Sequence, residues 1–403
     1  MRIAVFHNLP PGGARRAAFE LVRHTADVYD YDYYRITSDR AEDPLAGSQD
    51  IGKWAKEVFA YDLKGRRFGP DELQRVLNIR SMVSLQRNVA RDIDARGYDL
   101  VFVHHDRLTH APALLRFLTT PSVYYVQEPR RQSFEYNLRH RNRPVPGPAG
   151  RGARLAASTF DLWLRERDIR GTRAATHLVA NSYHSAEFIW RSYGRHPAVS
   201  YLGVDPDVFS LGTGERQGVL AVGALDPTKG HDLVIEAIGQ LPAAVRPPLT
   251  LAFDRERPGV RNRLLSLAAA RGVLLQLRNG IDDAQLVALY QTSSATICAG
   301  AVEPFGLTTV ESLACGTPVV ALKEGGYREV VKDGQNGSLA DRRPGAITAA
   351  IAQVTADPGR WSPAELRSSV LPFFSWEAAS ERFKALLEEA VETECAPADG
   401  RHQ

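Results

Sequence analysis

Residues 299–321 read AGAVEPFGLTTVESLACGTPVVA. The run divides into a strand end, a short loop, a helix, a glycine stop and a second strand, which together make one strand–helix–strand unit. Outward from it, apolar runs alternate with amphipathic segments over nearly the whole chain, the pattern of a parallel sheet covered by helices. In the N-terminal half, strands are expected near Ile3–Phe6, Tyr29–Ile36, Leu100–His104, Ser122–Val126 and His177–Ala180, with helices near Ala14–His24, Asp71–Arg96 and His184–Tyr193. The C-terminal half repeats the scheme. Its strands are expected near Val219–Val222, Leu249–Phe253, Val273–Leu277, Ala295–Cys298 and Pro318–Ala321, and its helices near Asp232–Gln240, Asp283–Gln291, Phe305–Cys315 and Ile347–Thr355. The fold class is therefore α/β, with two doubly wound domains. Periodicity lapses in YLGVDPDVFSLGTGERQ (201–217), whose Gly, Pro and Asp content suits a hinge, so the expected domains are 1–205 and 206–375. A closing segment, 376–403, holds a helix over Trp376–Val391 and a tail, TECAPADGRHQ, expected to fray.

Composition narrows the function classes. With 403 residues, 44% of them hydrophobic and 24% charged, the chain is far too long for a disulfide-stapled miniprotein and too apolar for wholesale disorder. Lys and Arg number 50 against 47 acids, a net charge of +3 that gives no electrostatic footprint for nucleic acid. Only seven of those bases are lysines, so each lysine is informative. Cys298, Cys315 and Cys395 are odd in number and widely spaced, which points to a reducing compartment. The opening MRIAVFHNLPPGG lacks a signal-peptide core, and no run of about 18 apolar residues occurs, so a cytoplasmic protein is expected. No metal constellation is visible, since neither DxD at a strand end nor HExxH is present, and no GxSxG elbow occurs.

One stretch breaks the alternation. Residues 130–173 hold eleven arginines against four acids, with Gly and Pro clustered at 144–152. They read either as a solvated basic insertion or as a docking surface for an anionic acceptor or membrane face, the second supported by Phe160, Leu162, Trp163 and Leu164 beside the arginines.

The chemistry concentrates in the opening run. Phe305, Gly306, Leu307 and Thr308 are placed in the first turn of a helix, whose free N–H groups and positive dipole end suit a phosphate, and Thr308 adds a hydroxyl. Glu303 lies in the loop ahead of that helix and Glu311 about two turns inside it. Carboxylates on either side of an anion site can accept paired sugar and ribose hydroxyls. Glu303 taken alone also fits an ordinary helix cap.

Glu303 and Glu311 are separated by seven residues, and EPFGLTTVE followed by Ala314, Gly316 and PVVA resembles the retaining glycosyltransferases of family 4. The resemblance implies a GT-B fold, two Rossmann-like domains facing across a cleft, with a C-terminal helix crossing back to the first. It also implies a metal-independent, cofactor-free transfer of sugar from a nucleoside diphosphate donor to a hydroxyl acceptor, whether glycan, lipid-linked or small molecule. VGALDPTKGHDLVIEAI (222–238) is similar to the family's strand, loop and helix, with Lys229 in place of the lysine that grips the diphosphate and Ala224 where the family usually has Arg. EGGYREVVKDGQNG, NSYHS and YLGVD resemble further family segments, the last with Tyr-Leu where the family has Pro-Asn. On this resemblance Glu303 and Lys229 are the catalytic candidates, Glu303 holding donor-sugar hydroxyls. Gly12, Gly13, Phe305–Thr308 and Glu311 are the donor-binding candidates, and His104, Gln127, Glu128 and Arg131 are candidates for sugar or acceptor contact.

Gln127 stands where the family commonly has His, and His104 is read as ending the strand DLVFVH. The donor base is placed near Leu277–Gly280, with uracil and guanine both open. Two rivals remain: another GT-B enzyme such as an epimerase or phosphorylase, and a nucleotide-sugar-binding subunit without turnover. Peripheral contact with the inner membrane face through 130–173 is the further partner expected.

Overall fold

The computed structural model describes residues 1–9, 12–37, 55–62, 71–134 and 150–395. The chain divides into two compact units, Met1–Ser200 with Ser380–Gln403, and Tyr201–Ala379.

The first unit is built on a seven-stranded parallel sheet: β1 (Arg2–Asn8), β2 (Asp30–Thr37), β3 (Ala55–Asp62), β4 (Leu100–Asp106), β5 (Ser122–Val126), β6 (His177–Ala180) and β7 (Ala198–Val199), in the order β3-β2-β1-β4-β5-β6-β7. LVFVHHD of β4 and SVYYV of β5 are buried along their whole length, because helices cover both faces of a parallel sheet. Parallel neighbours need crossover connections. Gly13–Arg23 links β1 to β2, Asp71–Ala95 leads into β4, and Gly150–Ala174 links β5 to β6. The last of these corrects the reading of 130–173 as an insertion throughout, for its C-terminal part is a regular crossover helix. Leu164, Asp168 and Thr172, four residues apart, are buried along one side of it. The surrounding arginines hide that spacing in a sequence scan. Arg139, Arg141 and Arg143 lie outside the described residues.

The second unit repeats the scheme with six parallel strands: β8 (Val219–Val222), β9 (Leu249–Phe253), β10 (Leu275–Asn279), β11 (Ala295–Cys298), β12 (Val319–Leu322) and β13 (Gly337–Ala340), in the order β10-β9-β8-β11-β12-β13. β10 starts two residues later than the sequence suggests. Gly272, at φ 63°, ends the helix Val260–Arg271, and Val273 N–H closes back onto the Ala268 carbonyl at 2.9 Å, so Val273 belongs to the helix stop. β13 escapes a scan for β-branched runs because GSLA is short and starts with glycine. Any Cβ on Gly337 would press into the Val319 carbonyl of its neighbour.

In both sheets the strand order reverses once, between β1 and β4 and between β8 and β11. Such reversals open a crevice at the C-terminal strand ends, and that is where ligands bind in open α/β sheets. The loops after β1, β8 and β11 carry Gly12–Gly13, Lys229 and Glu303.

Most of the expected hinge is tied into the second unit. Val204 N–H donates to the Phe374 carbonyl at 2.8 Å and Val204 accepts from Trp376 N–H at 3.1 Å. Arg367 donates to the carbonyls of Pro206, Phe209 and Ala314, which anchors this segment to the end of the helix Leu307–Ala314. The closing helix runs Trp376–Cys395, so Thr393–Cys395 of the expected tail are helical, and 396–403 lie outside the described residues. From Ser380 onward this helix belongs to the first unit, where the Phe383 ring sits 4.6 Å from that of Phe102. No described helix is long and apolar enough to cross a membrane.

Arg367→Ala would strip three carbonyls of their donor at once. A loss of at least about 2 kcal/mol is expected, read as a lower urea midpoint. Arg367→Lys should recover only part of it, because an ammonium lacks the planar fork.

Candidate functional site

In the second unit two loops are fastened together by backbone. Asp226 accepts from the Thr228 N–H and hydroxyl, at 2.9 and 2.8 Å, and thereby fixes the turn Pro227–Lys229. Gly230, at φ 68°, then swings the chain into the helix His231–Gly239. Its missing side chain is required by space as well, since a Cβ there would overlap the Ala299 carbonyl oxygen. Ala301 N–H donates to the Thr228 carbonyl at 2.8 Å and completes the join. His231 is buried and its Nε2 is shared between the Gly223 and Ala224 carbonyls, at 3.2 and 3.1 Å. Burial lowers its pKa, so the ring is neutral and Nε2 carries the proton as donor.

The loop after β11 is held from its other side. Val302 adopts φ 48°, unusual for a β-branched residue, and donates its N–H to Glu324 at 2.9 Å. Glu324 is itself paired with Arg342. Gly326 N–H donates to the Glu303 carbonyl at 2.8 Å. A Cβ on Gly325 would lie 2.5 Å from the Glu303 oxygen, and one on Gly326 2.5 Å from the Pro304 oxygen, so only Gly-Gly permits this approach.

These fastenings bring Lys229 and Glu303 together. Lys229 Nζ lies 3.1 and 2.9 Å from Glu303 Oε1 and Oε2, with the two side chains 34% and 21% exposed. The pair is half-buried and reachable from solvent. Beside it the helix Leu307–Ala314 begins, with Gly306 as its N-cap at φ 95° and no side chain capping it. Leu307 and Thr308 therefore lie in the first turn, whereas Phe305 and Gly306 precede the helix. The Phe305 side chain is buried, in ring contact with Tyr201 and Phe374, so only its backbone can serve a ligand. Glu311 stands a little over one turn inside, because the helix starts later than the sequence suggests. It is buried, and Tyr290 donates its hydroxyl to Glu311 Oε2 at 2.8 Å. Thr308 Oγ1 lies 3.5 Å from Cys298 Sγ, a thiol that burial pushes up to about 12 and keeps protonated.

The candidates of the first unit are described by themselves. Gly12, at φ 143°, caps the helix that starts at Gly13. Gln127 lies one residue beyond β5 and donates to the Ala14 carbonyl at 3.3 Å, so Gln127 and the Gly12–Gly13 turn are brought together. His104 is not at a strand end, because β4 continues to Asp106. It is fully buried, stacked on Tyr125, with no partner at either ring nitrogen among the described residues and a pKa well below the ordinary value through burial. An acceptor cannot reach it without rearrangement. The strand end is occupied by Asp106, which accepts from Asn8 at 2.9 Å, from Gln86 at 2.8 Å and from the Thr109 N–H at 2.7 Å. Glu128 offers its carbonyl to His110 Nε2 at 2.7 Å, and Arg131 opens the short helix Arg131–Phe134; both are half-buried.

Tyr290, His231, Glu324 and Asp106 escape sequence reasoning. Each acts on a partner at least six residues away across a turn or on another element, and no local spacing marks such contacts. Among the described residues no cluster of three or more His, Cys, Asp or Glu is placed to hold a metal.

Residues 207–370, nearly the whole second unit, match the family of glycosyl transferases group 1. The chain is 30% identical over 278 residues to the GDP-mannose-dependent alpha-(1-6)-phosphatidylinositol monomannoside mannosyltransferase of Mycolicibacterium smegmatis, covering 60% of this chain and 72% of that protein. It is 32% identical over 209 residues to a D-inositol 3-phosphate glycosyltransferase of Acidothermus cellulolyticus, covering 46% of this chain and 47% of that protein. The chain thus spans about half the length of such inositol-phosphate relatives. Among solved structures, sucrose-phosphate synthase from Thermosynechococcus elongatus superposes with a TM-score of 0.74 at 17% identity, over 97% of this chain and 99% of that one. The chain belongs to the glycosyl transferases group 1 family, and its fold is GT-B.

Gly230 and Gly259 separate the effect of space from that of backbone conformation. Both have positive φ, but a Cβ on Gly259 meets nothing within 4 Å. Gly259→Ala should cost about 1 kcal/mol, and Gly230→Ala more, through the Ala299 carbonyl. Thermal unfolding should then show a further fall of roughly 2–4 °C for each additional kcal/mol in Gly230→Ala. Equal melting temperatures would refute the steric reading.

Proposed function

We propose that this protein is a retaining glycosyltransferase that moves a sugar from a nucleoside diphosphate to a hydroxyl acceptor, without a metal. The observation that carries the reading is the bidentate Lys229–Glu303 pair beside an uncapped helix start. A cation and a line of free N–H groups suit a diphosphate, and a carboxylate next to them suits sugar hydroxyls. In the reaction the bond from the anomeric carbon to the phosphate oxygen breaks and a bond to the acceptor oxygen forms on the same face. The acceptor proton passes to the leaving phosphate oxygen, so no protein nucleophile is needed. Lys229 and the N–H groups of Leu307 and Thr308 stabilise the charge that builds on the diphosphate. Glu303 holds donor hydroxyls and favours positive charge at the anomeric carbon. Glu311, oriented by Tyr290, anchors the ribose. Gly12 and Gly13 supply backbone without Cβ interference, and Gln127 holds that turn.

A donor must exchange the mutual Lys229–Glu303 pair for its own phosphate and hydroxyls. The ammonium is therefore partly neutralised before donor arrives, and the two single variants should behave in opposite ways toward free nucleotide.

The first test is a thermal-shift and product screen with GDP-mannose and UDP-glucose, with the anomeric configuration of product read by NMR. Donor-dependent transfer with retention is expected, and inversion would defeat the mechanism. Lys229→Ala should weaken nucleoside diphosphate binding by roughly ten- to 150-fold, the worth of a charge-assisted contact. Glu303→Gln should leave that binding unchanged or tighter while kcat falls about 10²–10³-fold, because its charge is needed in the transition state. If Glu303 merely caps the helix, kcat will stay near wild type and only about 1 kcal/mol of stability will be lost.

A further inference from the structure

The helix layer of the first unit carries an open pocket of about 380 Å³, with Arg87, Arg116, Glu166 and Arg170 exposed at its walls, lined by residues that none of the loops described above supplies. Arg87 comes from the helix Asp71–Ala95, Arg116 and Phe117 from the turn Ala113–Arg116 and the residue after it, and Trp163, Arg167 and Arg170 from the helix Gly150–Ala174. One acid, Glu166, also lines it and is committed to Arg170 at 2.6 Å on the same helix. Among the described residues, Arg87, Arg116 and Arg167 have no carboxylate partner. They rest on ring faces instead. The Arg87 and Arg116 guanidiniums lie 4.6 and 5.7 Å from the Phe117 ring centre, and that of Arg167 lies 4.0 Å from Trp163. Arg167 Nε is buried without a hydrogen-bond partner among the described residues.

We propose that this pocket is a binding site for a phosphoryl group, carried either by a small soluble ligand or by a lipid headgroup. Guanidinium forks match two phosphate oxygens at a time, and contact with the Phe117 and Trp163 rings holds the arginines in place beforehand. The volume falls within the range of about 300–1,000 Å³ usual for small-molecule pockets. Like charges held together are self-repelling. Burial and then Arg116, Arg80 and Arg170 all lower the pKa of Arg167, and an anion would relieve that strain. None of the lining residues belongs to the loops that carry Gly12, Gln127, Lys229 or Glu303. A ligand here is therefore additional to any donor.

The test uses the full chain without nucleotide. Inorganic phosphate is titrated by calorimetry into wild type and into Arg116→Ser/Arg167→Ser, and tryptophan fluorescence is followed in wild type and Trp163→Phe. Vesicles of phosphatidylcholine, alone or mixed with phosphatidylglycerol, are sedimented with wild type and the arginine variant. A phosphate isotherm weakened at least about tenfold in the arginine variant is expected, the loss of one charge-assisted contact or more. A fluorescence change absent from Trp163→Phe is expected with it. With no vesicle binding the ligand is soluble; sedimentation with anionic vesicles alone, lost in the arginine variant, assigns a lipid headgroup. Melting temperature separates a binding role from a structural one. In phosphate-free buffer the arginine variant should melt at or above wild type, and phosphate should raise wild type only. Phosphate and vesicle binding that are both unchanged in the arginine variant would overturn the proposal.

Discussion

The Lys229–Glu303 contact depends on three stretches of backbone lying closer than any side chain would allow. The loop after β8 meets the end of β11 at Gly230, and the loop after β12 meets that after β11 at Gly325 and Gly326. Each glycine removes a Cβ that would strike a carbonyl, and Val302 accepts a left-handed conformation so that the loop between them can close. Strain of this kind costs roughly 1–3 kcal/mol, and it persists because Glu324, Thr228 and Gly326 hold the loop by hydrogen bonds. The ammonium and carboxylate are thus positioned by backbone, while their own long side chains remain half-exposed and able to change partners.

Sheet topology decides where those loops can be. A single reversal of strand order in each unit leaves a crevice at β1/β4 and another at β8/β11, and the flanking helices point their N-termini toward it. In the second unit the result is an uncapped helix start at Gly306 beside a lysine. In the first, the corresponding turn at Gly12 is held by Gln127, while Asn8 and Asp106 pin the two strand ends together. The same architecture therefore yields a lysine–glutamate pair in one unit and a glycine turn held by an amide in the other.

Much of this was legible in the sequence because it is local. The strand–helix–strand periodicity, the Lys-Gly turn and the Glu303 to Glu311 run are contiguous patterns, and the strands β4, β5, β8, β9 and β11 follow from apolar runs. What escaped is non-local or disguised. Tyr290 reaches Glu311 from a different helix, and His104 is not a strand end because β4 runs two residues further, to Asp106. The crossover helix Gly150–Ala174 was hidden by its arginines, and β13 by having glycine where a packing side chain is usual.

Arginine usage gives a physical basis for telling structure from function in so basic a chain. Where arginine builds the fold, its fork is filled by carbonyls. Arg246 donates to those of Gly239, Leu241, Arg271 and Gly272, and Arg195 to those of Arg173, Ala175 and Thr176. Arg367 does the same at the end of the Leu307–Ala314 helix. Such residues neutralise helix and loop ends and leave little capacity for a ligand. Arg87, Arg116 and Arg167 differ, since they are arranged on aromatic faces around a pocket with donors directed at no carbonyl or carboxylate among the described residues. Lysine, the rarer base here, supplies the compact charge that pairs with both oxygens of Glu303.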